Sequence, residues 1–248
     1  MRRRVFVALS LFVCAFSAQA QVSVPASSSV QLSGGTLDLG GTDLQIGGTL
    51  GLGSGAIANA RNVSTLSGGS LNAGSGSVTL FGNWSGLGSF AAGSGSVNFV
   101  DGGVSSSQLS GSTTFNAASF VSTSGKSYVF PAGLTQTFNS SLTILGTSSA
   151  GIQFKSTAPG QAASVNLLPG GAQNIDFVGV SDVHATGQHL AAGKTNDGGT
   201  GNALGWFGAL ASAAVRPAPA LSLPALCLLA LAVAMIATRH ARRRAARK

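Results

Sequence analysis

The feature that most constrains this chain is a short apolar–polar alternation that glycine interrupts every few residues. The fragments Thr36–Leu39, Asp43–Ile46 and Thr49–Leu52 alternate with a period of two, and Gly-Gly pairs separate them. This pattern predicts short β-strands joined by tight turns. All 36 glycines lie between residues 21 and 215, and the chain contains no glutamate. Because helices favour Glu and avoid Gly, this composition argues against a helical bundle, a coiled coil and an ordinary α/β enzyme.

Longer strand candidates and internal repeats follow along the chain. The candidates are Ser77–Phe81, Ser96–Val100, Ser119–Ser122, Ser127–Phe130, Thr135–Leu145, Ile152–Lys155, Ala163–Leu168 and Asn174–Val180. The hexapeptide Ala73–Val78 recurs at Ala92–Val97, and Leu32–Leu37 recurs in similar form at Leu66–Leu71. The first of these repeats has a period of about 20 residues, which is the length of one short coil of a β-solenoid.

We therefore predict an all-β body over residues 21–210, folded as a β-solenoid or right-handed parallel β-helix of about nine coils of about 20 residues. Stacked coils bury a narrow apolar column and place Gly, Asn and Ser at the corners. Such a core needs few aromatic residues, and the chain is 6% aromatic. An antiparallel β-sandwich is the alternative fold. Disorder of residues 21–75 is a further alternative, against which the regular leucine alternation argues.

Residues 1–20 have the three parts of a secretory signal peptide. Arg2–Arg4 are the positive part, Val5–Phe16 the apolar part, and Ala18 and Ala20 place small residues before Gln21. We expect a signal helix that the translocon receives and that signal peptidase removes before Gln21. An uncleaved membrane anchor is the alternative, although the apolar run is short for one.

Residues 221–238 predict a single transmembrane helix. They are 18 residues without a charge, which as a helix measures about 27 Å, close to the ~30 Å of a hydrocarbon core. The tail 239–248 follows directly, with a cluster formed by Arg239, Arg242, Arg243 and Arg244. The positive-inside rule keeps this cluster cytoplasmic. We therefore expect the body to be exported to the cell envelope, and the bilayer to hold the C-terminal segment at least transiently.

The segment before this helix resembles a bacterial sorting signal. Residues 211–220 form a Pro/Ala linker, and the motif Pro219-Ala220-Leu221-Ser222 marks its end. A short proline motif, one membrane helix and a terminal arginine cluster resemble the PEP-CTERM and IPTL-CTERM type of signal. The motif is similar to the Pro-Thr-Leu-Ser core of the second type, but Ala220 replaces Thr and Leu223-Pro224 replaces the acidic-aromatic pair that often follows. The resemblance implies that an exosortase-type membrane peptidase cuts near the motif; without the cut, the segment is a permanent anchor.

The body resembles repetitive bacterial surface proteins of the adhesin or filamentous-haemagglutinin-like kind. The runs that carry this resemblance include KSYVFPAG at 126–133, IDFVGVSD at 175–182 and TNDGGTGNALGW at 195–206. It implies a right-handed β-helix and assigns no site residues.

The formal net charge of +8 belongs to the ends of the chain and not to its body. Residues 21–215 contain four basic residues, Arg61, Lys126, Lys155 and Lys194, against all six aspartates. We therefore expect no nucleic-acid partner. The two cysteines, Cys14 and Cys227, lie outside the body, which accordingly has neither disulfides nor thiol chemistry.

Few residues of the body suit acid–base chemistry, so we predict no catalytic residue, no cofactor and no metal site. Asp38, Asp43 and Asp101 stand beside glycines, where aspartate caps a turn with its own side chain. Asp176 and Asp182 flank one predicted strand and would share a face if that strand were straight.

The end of the body holds the remaining polar clusters. Asp182, His184 and His189 could supply three metal ligands, but we interpret them as a polar loop. The run 196–199 (NDGG) is faintly similar to a calcium loop and lacks its alternating acidic ligands. We expect instead that Trp206 and Phe207 cap the last coil.

Together these features predict a non-enzymatic, exported cell-surface protein with a structural, adhesive or matrix role and an extracellular glycan or matrix as its partner. One alternative is a binding module for glycans or ice. Another is a polysaccharide-acting β-helix enzyme of the pectate-lyase-like group. The chemistry of that group needs clustered carboxylates with a basic residue, and the four basic residues of the body are scattered.

Overall fold

The computed structural model describes residues 21–208, which form an all-β parallel solenoid of the right-handed type with about eight turns. All ladders between the strands are parallel, so the antiparallel β-sandwich is wrong. Strands begin at Gln21 and eight of them end before residue 75, which also excludes disorder in that region. The predicted signal and transmembrane helices lie outside the described residues.

The strands form three parallel sheets that run along the solenoid. The first sheet comprises β1 (Gln21–Val24), β4 (Asp43–Ile46), β7 (Val63–Thr65), β10 (Trp84–Gly86), β13 (Ser106–Ser110), β15 (Ser127–Phe130), β17 (Ile152–Ser156) and β20 (Val178–Ser181). The second comprises β2 (Ser29–Gln31), β5 (Thr49–Gly51), β8 (Ser70–Asn72) and β11 (Ser89–Ala91). The third comprises β3 (Thr36–Asp38), β6 (Ala56–Ala60), β9 (Ser77–Leu80), β12 (Ser96–Phe99), β14 (Thr114–Val121), β16 (Thr135–Leu145), β18 (Ala163–Leu167) and β21 (Val183–Ala185), with β19 (Ala172–Asp176) paired to β16.

The register explains one of the two sequence repeats and reinterprets the other. Val78 pairs with Val97, so the repeat of Ala73–Val78 at Ala92–Val97 is one turn of the solenoid, as predicted. The longer repeat is not a turn, because Leu37 stacks on Ile57 in the third sheet whereas Leu71 stacks on Leu50 in the second. That motif is a strand–corner–strand unit that recurs at two different corners.

The core changes character along the axis. The first turns bury aliphatic side chains such as Leu44, Ile46 and Leu50. From Trp84 onward the interior is a continuous aromatic cluster, in which the rings of Phe99 and Phe120 stack with centroids 4.6 Å apart. Its other fully buried members are Phe115, Tyr128, Phe130, Phe138 and Phe154.

Two turns in the aromatic part of the core are longer than the early turns. Leu44 pairs with Val63, 19 residues on, whereas Tyr128 pairs with Phe154 and Ile152 pairs with Val178, each 26 residues on. A longer turn encloses more interior, and the large rings fill it.

Glycine is required at one corner for two separate reasons. Gly53, Gly74 and Gly93 occupy this corner in successive turns with φ of 61°, 57° and 55°. A Cβ at Gly93 would also lie 2.2 Å from the carbonyl oxygen of Gly74. Other residues are disfavoured there by backbone conformation and by the close approach of the neighbouring turn.

The predicted strand Asn174–Val180 is wrong as a single element. The chain turns at Phe177, whose φ is 51°, so β19 ends at Asp176 and β20 begins at Val178. A second residue with positive φ, Asp182 at 56°, separates β20 from β21. Asp176 and Asp182 therefore lie at different corners.

Residues 21–208 contain three parallel ladders and a continuous apolar core. These are the backbone hydrogen bonds and the buried apolar surface that stabilise a parallel solenoid.

Candidate functional surfaces

The outer sides of the sheets carry small uncharged side chains in columns, because alternate residues of each strand face outward. One column of the third sheet runs through Thr79, Asn98, Ser119, Thr143 and Asn174. Ser119 Oγ donates to Asn98 Oδ1 at 2.9 Å, and Asn98 Nδ2 donates to Thr79 Oγ1 at 3.5 Å. These side chains tie neighbouring turns together and present neutral donors and acceptors at the surface.

A second ladder follows the edge of the first sheet. Asn62 Nδ2 donates to Asp43 Oδ1 at 2.8 Å, and the backbone N–H of Asn83 donates to Asn62 Oδ1 at 2.7 Å. The N–H of Gln108 then donates to Asn83 Oδ1 at 2.8 Å. Asp43 therefore bridges two turns of the solenoid, whereas the sequence predicted that it caps its own turn.

Asp38 does cap its own turn, as predicted. Its Oδ1 accepts the N–H of Gly40 at 2.9 Å, and its carboxylate also accepts Asn59 Nδ2 from the next turn. The hydrogen bonds from Gly40 and Asn59 lower the pKa of Asp38.

Asp101, like Asp43 and unlike the sequence prediction, bonds to the next turn rather than capping its own. Its carboxylate accepts the N–H of Thr123 at 2.9 Å and the hydroxyl of Ser124 at 3.1 Å. Partial burial acts to raise the pKa of Asp101, but hydrogen bonds from Ser122, Thr123 and Ser124 outweigh it, and the pKa is lowered.

Lys126 is a buried lysine that sequence reasoning missed. Its side chain is 1% exposed. Nζ donates to the backbone carbonyl oxygens of Phe81 and Val100 and lies 5.3 Å from the ring centroid of Tyr128. Burial lowers the pKa of Lys126 to about 8, and the negative charge of Asp101 partly offsets that effect. The alternation Lys126, Tyr128, Phe130 could have placed this lysine inside, since the three share one face of a strand.

A polar cleft of about 310 Å³ lies beside β19 near the end of the solenoid. Its walls include Gln173, Asn174, Asp176, Ala191 and Lys194. Lys194 Nζ and Asp176 Oδ1 are 2.8 Å apart, and both side chains are about half exposed. An exposed pair of this kind contributes little to stability, typically less than about 1 kcal/mol.

Of the three residues that the sequence considered as metal ligands, Asp182 and His184 both contact the side chain of Asn202, whereas His189 has a different partner. Asp182 accepts hydrogen bonds from Asn202 Nδ2 and the N–H of Gly160, and these bonds lower its pKa. His184 Nε2 lies 3.0 Å from Asn202 Oδ1, whereas His189 Nε2 contacts the carbonyl oxygen of Phe207. Within residues 21–208, no group of three or more His, Cys, Asp or Glu side chains is placed to hold a metal ion.

The segment 186–208 closes the last turn. Trp206 is 5% exposed and its ring centroid lies 6.0 Å from that of Phe154, so the predicted aromatic cap is confirmed. Sequence reasoning missed the role of Asn196. Its Oδ1 accepts the N–H of Val180 at 2.7 Å, and its Nδ2 donates to the carbonyl of Val180 at 3.0 Å. Together with the backbone N–H groups of Asp197 and Gly201, which donate to the carbonyls of Val178 and Val180, this amide covers the outer edge of β20. No pattern in the sequence indicates which amide makes such a contact.

Most of the predicted targeting residues lie outside the part of the chain that the structure describes. Gln21 is described and is the exposed first residue of β1. Ala18 and Ala20, the motif Pro219–Ser222 and the arginines Arg239, Arg242, Arg243 and Arg244 all fall outside it. In residues 21–208 there is no helix with the length and apolar character to cross a membrane.

Comparison with known proteins adds no relative: neither a family model, nor a curated protein, nor a solved structure matches this chain.

Proposed function

We propose that this chain is an exported, non-enzymatic cell-surface protein whose solenoid body has a structural or adhesive role. One observation carries the non-enzymatic part of the proposal. All six carboxylates of the chain accept a hydrogen bond from another residue of the body. Four of them, Asp38, Asp43, Asp101 and Asp182, thereby join different turns. They act as ties between turns and not as paired acids and bases.

The outer columns support an adhesive or matrix role. Neutral hydroxyl and amide groups repeat from turn to turn, as in the column that contains Asn98 and Ser119. A single such group binds a glycan hydroxyl weakly, but a regular array multiplies weak contacts along an extended partner. The partner that this surface fits is an extracellular glycan or matrix polymer.

The ends of the chain support export and sorting. The signal-like residues 1–20 direct the body to the translocon and to signal peptidase. The uncharged run 221–238 and the arginine cluster after it anchor the chain in the bilayer with the body outside. The sorting motif Pro219–Ser222 makes the chain a substrate for an exosortase-type peptidase.

Mass spectrometry of the protein released from the surface of an expressing bacterium tests the route. We expect an N-terminus at Gln21 and a C-terminus near residues 216–222. An intact Lys248 in the membrane fraction would support a plain anchor, and an intact Met1 in the cytoplasm would refute export.

An activity screen of the purified body tests the role. We expect residues 21–208 to bind immobilised polysaccharides weakly and to leave them uncut. Reducing ends or unsaturated products that accumulate with time would refute the non-enzymatic proposal.

A further inference from the structure

The two ends of the solenoid differ in how their backbone is covered. Among the described residues, β1, β2 and β3 of the first turn pair on one side only, with β4, β5 and β6. The carbonyls of Val24, Ser28 and Gly35 accept N–H groups from the second turn. Because alternate residues of a parallel strand bond to opposite sides, the remaining residues point their backbone groups away from the solenoid. They are Gln21, Ser23, Ser29, Gln31, Thr36 and Asp38.

The core is also open at this end. Val22 and Val30 head the inward-facing columns of the first and second sheets and are 38% and 41% exposed. One turn deeper, Leu44 and Leu50 in the same columns are each 1% exposed. A further layer on this face would bury both valines. The opposite end needs no such layer, because Asn196 satisfies the last strand of the first sheet and Trp206 covers the core.

We propose that the open end docks a second copy of this chain, head to head, about a two-fold axis perpendicular to the solenoid. Such an axis places β1 antiparallel to its own copy, and β2 antiparallel to the copy of β3. The three sheets then continue from one molecule into the other, and the exposed valines of the two copies pack together. The proposal rests on the proposed function, since removal of residues 1–20 makes Gln21 the N-terminus.

A second copy is the occupant that the two ends favour. Within the described residues, the segment 186–208 that closes the other end contains no strand with which an open end could pair. Head-to-tail stacking is therefore disfavoured, whereas a two-fold contact closes at the dimer. Charge does not oppose the approach. Asp38 has the only charged side chain among residues 21–42, and Gly40 and Asn59 already donate to its carboxylate. The α-ammonium groups of the two Gln21 residues lie at opposite ends of the antiparallel β1 pair.

The size of the end face sets the strength of the contact. A three-sided turn of about 20 residues has sides of about 20 Å at ~3.3 Å per residue. The face is therefore a few hundred Å², well below the ~800 Å² per partner of a standard interface. We expect a dissociation constant in the micromolar range or weaker, so that association depends visibly on concentration.

Sedimentation velocity of the body, residues 21–208, tests the proposal over a range of concentrations. The expected result is a monomer–dimer equilibrium that shifts to the dimer as concentration rises. The double variant Val22→Lys/Val30→Lys should remain monomeric, because it places two like charges in each copy of the interface. The matched control is Leu204→Lys, which charges a residue 71% exposed in the capping segment, and it should dimerise like the wild type. Circular dichroism establishes that each variant retains its β-structure.

Three results would overturn the proposal. They are a wild-type body that stays monomeric at every concentration, a double variant that dimerises normally, and growth beyond the dimer into larger assemblies. A monomeric body leaves this end to another occupant, such as another part of the chain or a different molecule. Failure of export is read separately, from the N-terminal mass of the full chain, and does not alter the mass that residues 21–208 show in solution.

Discussion

Lys126 makes the stability of the body depend on pH in a range where exposed lysines do not titrate. Burial lowers its pKa from the ordinary 10.5 to about 8. Between these values the unfolded chain binds a proton that the folded chain lacks, so stability rises with pH. Below pH 8 both states are protonated, and the folded state bears the full cost of a buried ammonium group.

The structure sets the size of this effect. A pKa lowered from 10.5 to about 8 corresponds to roughly 3 kcal/mol at about 1.4 kcal/mol per pH unit. About 2 kcal/mol of that should be regained between about pH 7.5 and pH 9.5. Tyr128 sets the upper limit of the window. Burial raises its pKa, so above pH 10 its un-ionised folded form opposes the trend.

The variant Lys126→Met isolates the charge, because methionine fills a similar volume without one. The carbonyl of Phe81 keeps a donor in this variant, Ser107 Oγ at 3.2 Å. The carbonyl of Val100 loses the donor that Lys126 provides, at a cost of about 1–3 kcal/mol. Since that cost offsets the removed charge penalty, the variant should be about as stable as the wild type at pH 7.5. By pH 9.5 it should have lost about 2 kcal/mol relative to the wild type.

Urea unfolding of the body, followed by circular dichroism at three pH values, measures this dependence. The free energy of unfolding of the wild type should rise by about 2 kcal/mol from pH 7.5 to 9.5, and that of Lys126→Met should stay level. Lys155→Met is the matched control, because Lys155 is exposed on β17, and it should show the wild-type rise. A level wild-type profile, or a rise that survives Lys126→Met, would refute the assignment.

Three further predictions concern single residues. Tyr128 is the only tyrosine of the chain, so ultraviolet absorbance should show no phenolate at pH 11 until the protein unfolds, and ionisation of the folded protein near pH 10 would contradict its burial. Gly93→Ala should destabilise the body by several kcal/mol. Gly103→Ala is the control, because Gly103 has φ of 80° but open space around it, and it should cost only about 1–2 kcal/mol. Equal losses of stability in thermal unfolding would show that the close contact at Gly93 is unimportant. Asn196→Ala should lower the stability of the body by about 2 kcal/mol or more, because it uncaps the last turn. Asn174→Ala, at an exposed outer position, should lower it little. If Asn196→Ala leaves hydrogen exchange at β20 unchanged, Asn196 does not have the capping role.

The strands and their stacking were predictable because one physical rule, the alternation of faces, governs them. Ser77–Phe81 and Ser96–Val100 were predicted as strands, and the repeat between them is one turn of the solenoid. The positions at which a strand is interrupted depend instead on the context of the whole fold. An aromatic residue such as Phe177 rarely adopts a positive φ, so no local pattern marks a corner there.

The candidate surfaces were less predictable than the strands. The sequence predicts that Asp38 caps its own turn, and it does. Asp43 and Asp101 instead bond to residues of the following turn, which are far from them in sequence. The partner of a side chain between turns depends on the register, and the length of a turn changes along the first sheet. Lys126 was missed because its type suggests the surface while its position in the alternation places it inside.

The parallel stacking of turns also determines how the body responds to mechanical load. A force applied between Gln21 and Gly208 acts along the axis, in line with the hydrogen bonds that join one turn to the next. Bonds loaded in this direction open one turn at a time rather than all together. Each turn of about 20 residues would release about 65 Å of chain at ~3.3 Å per residue. A body of this design lengthens in steps under load, and each step limits the force that the chain transmits. Force spectroscopy should resolve extensions of that size.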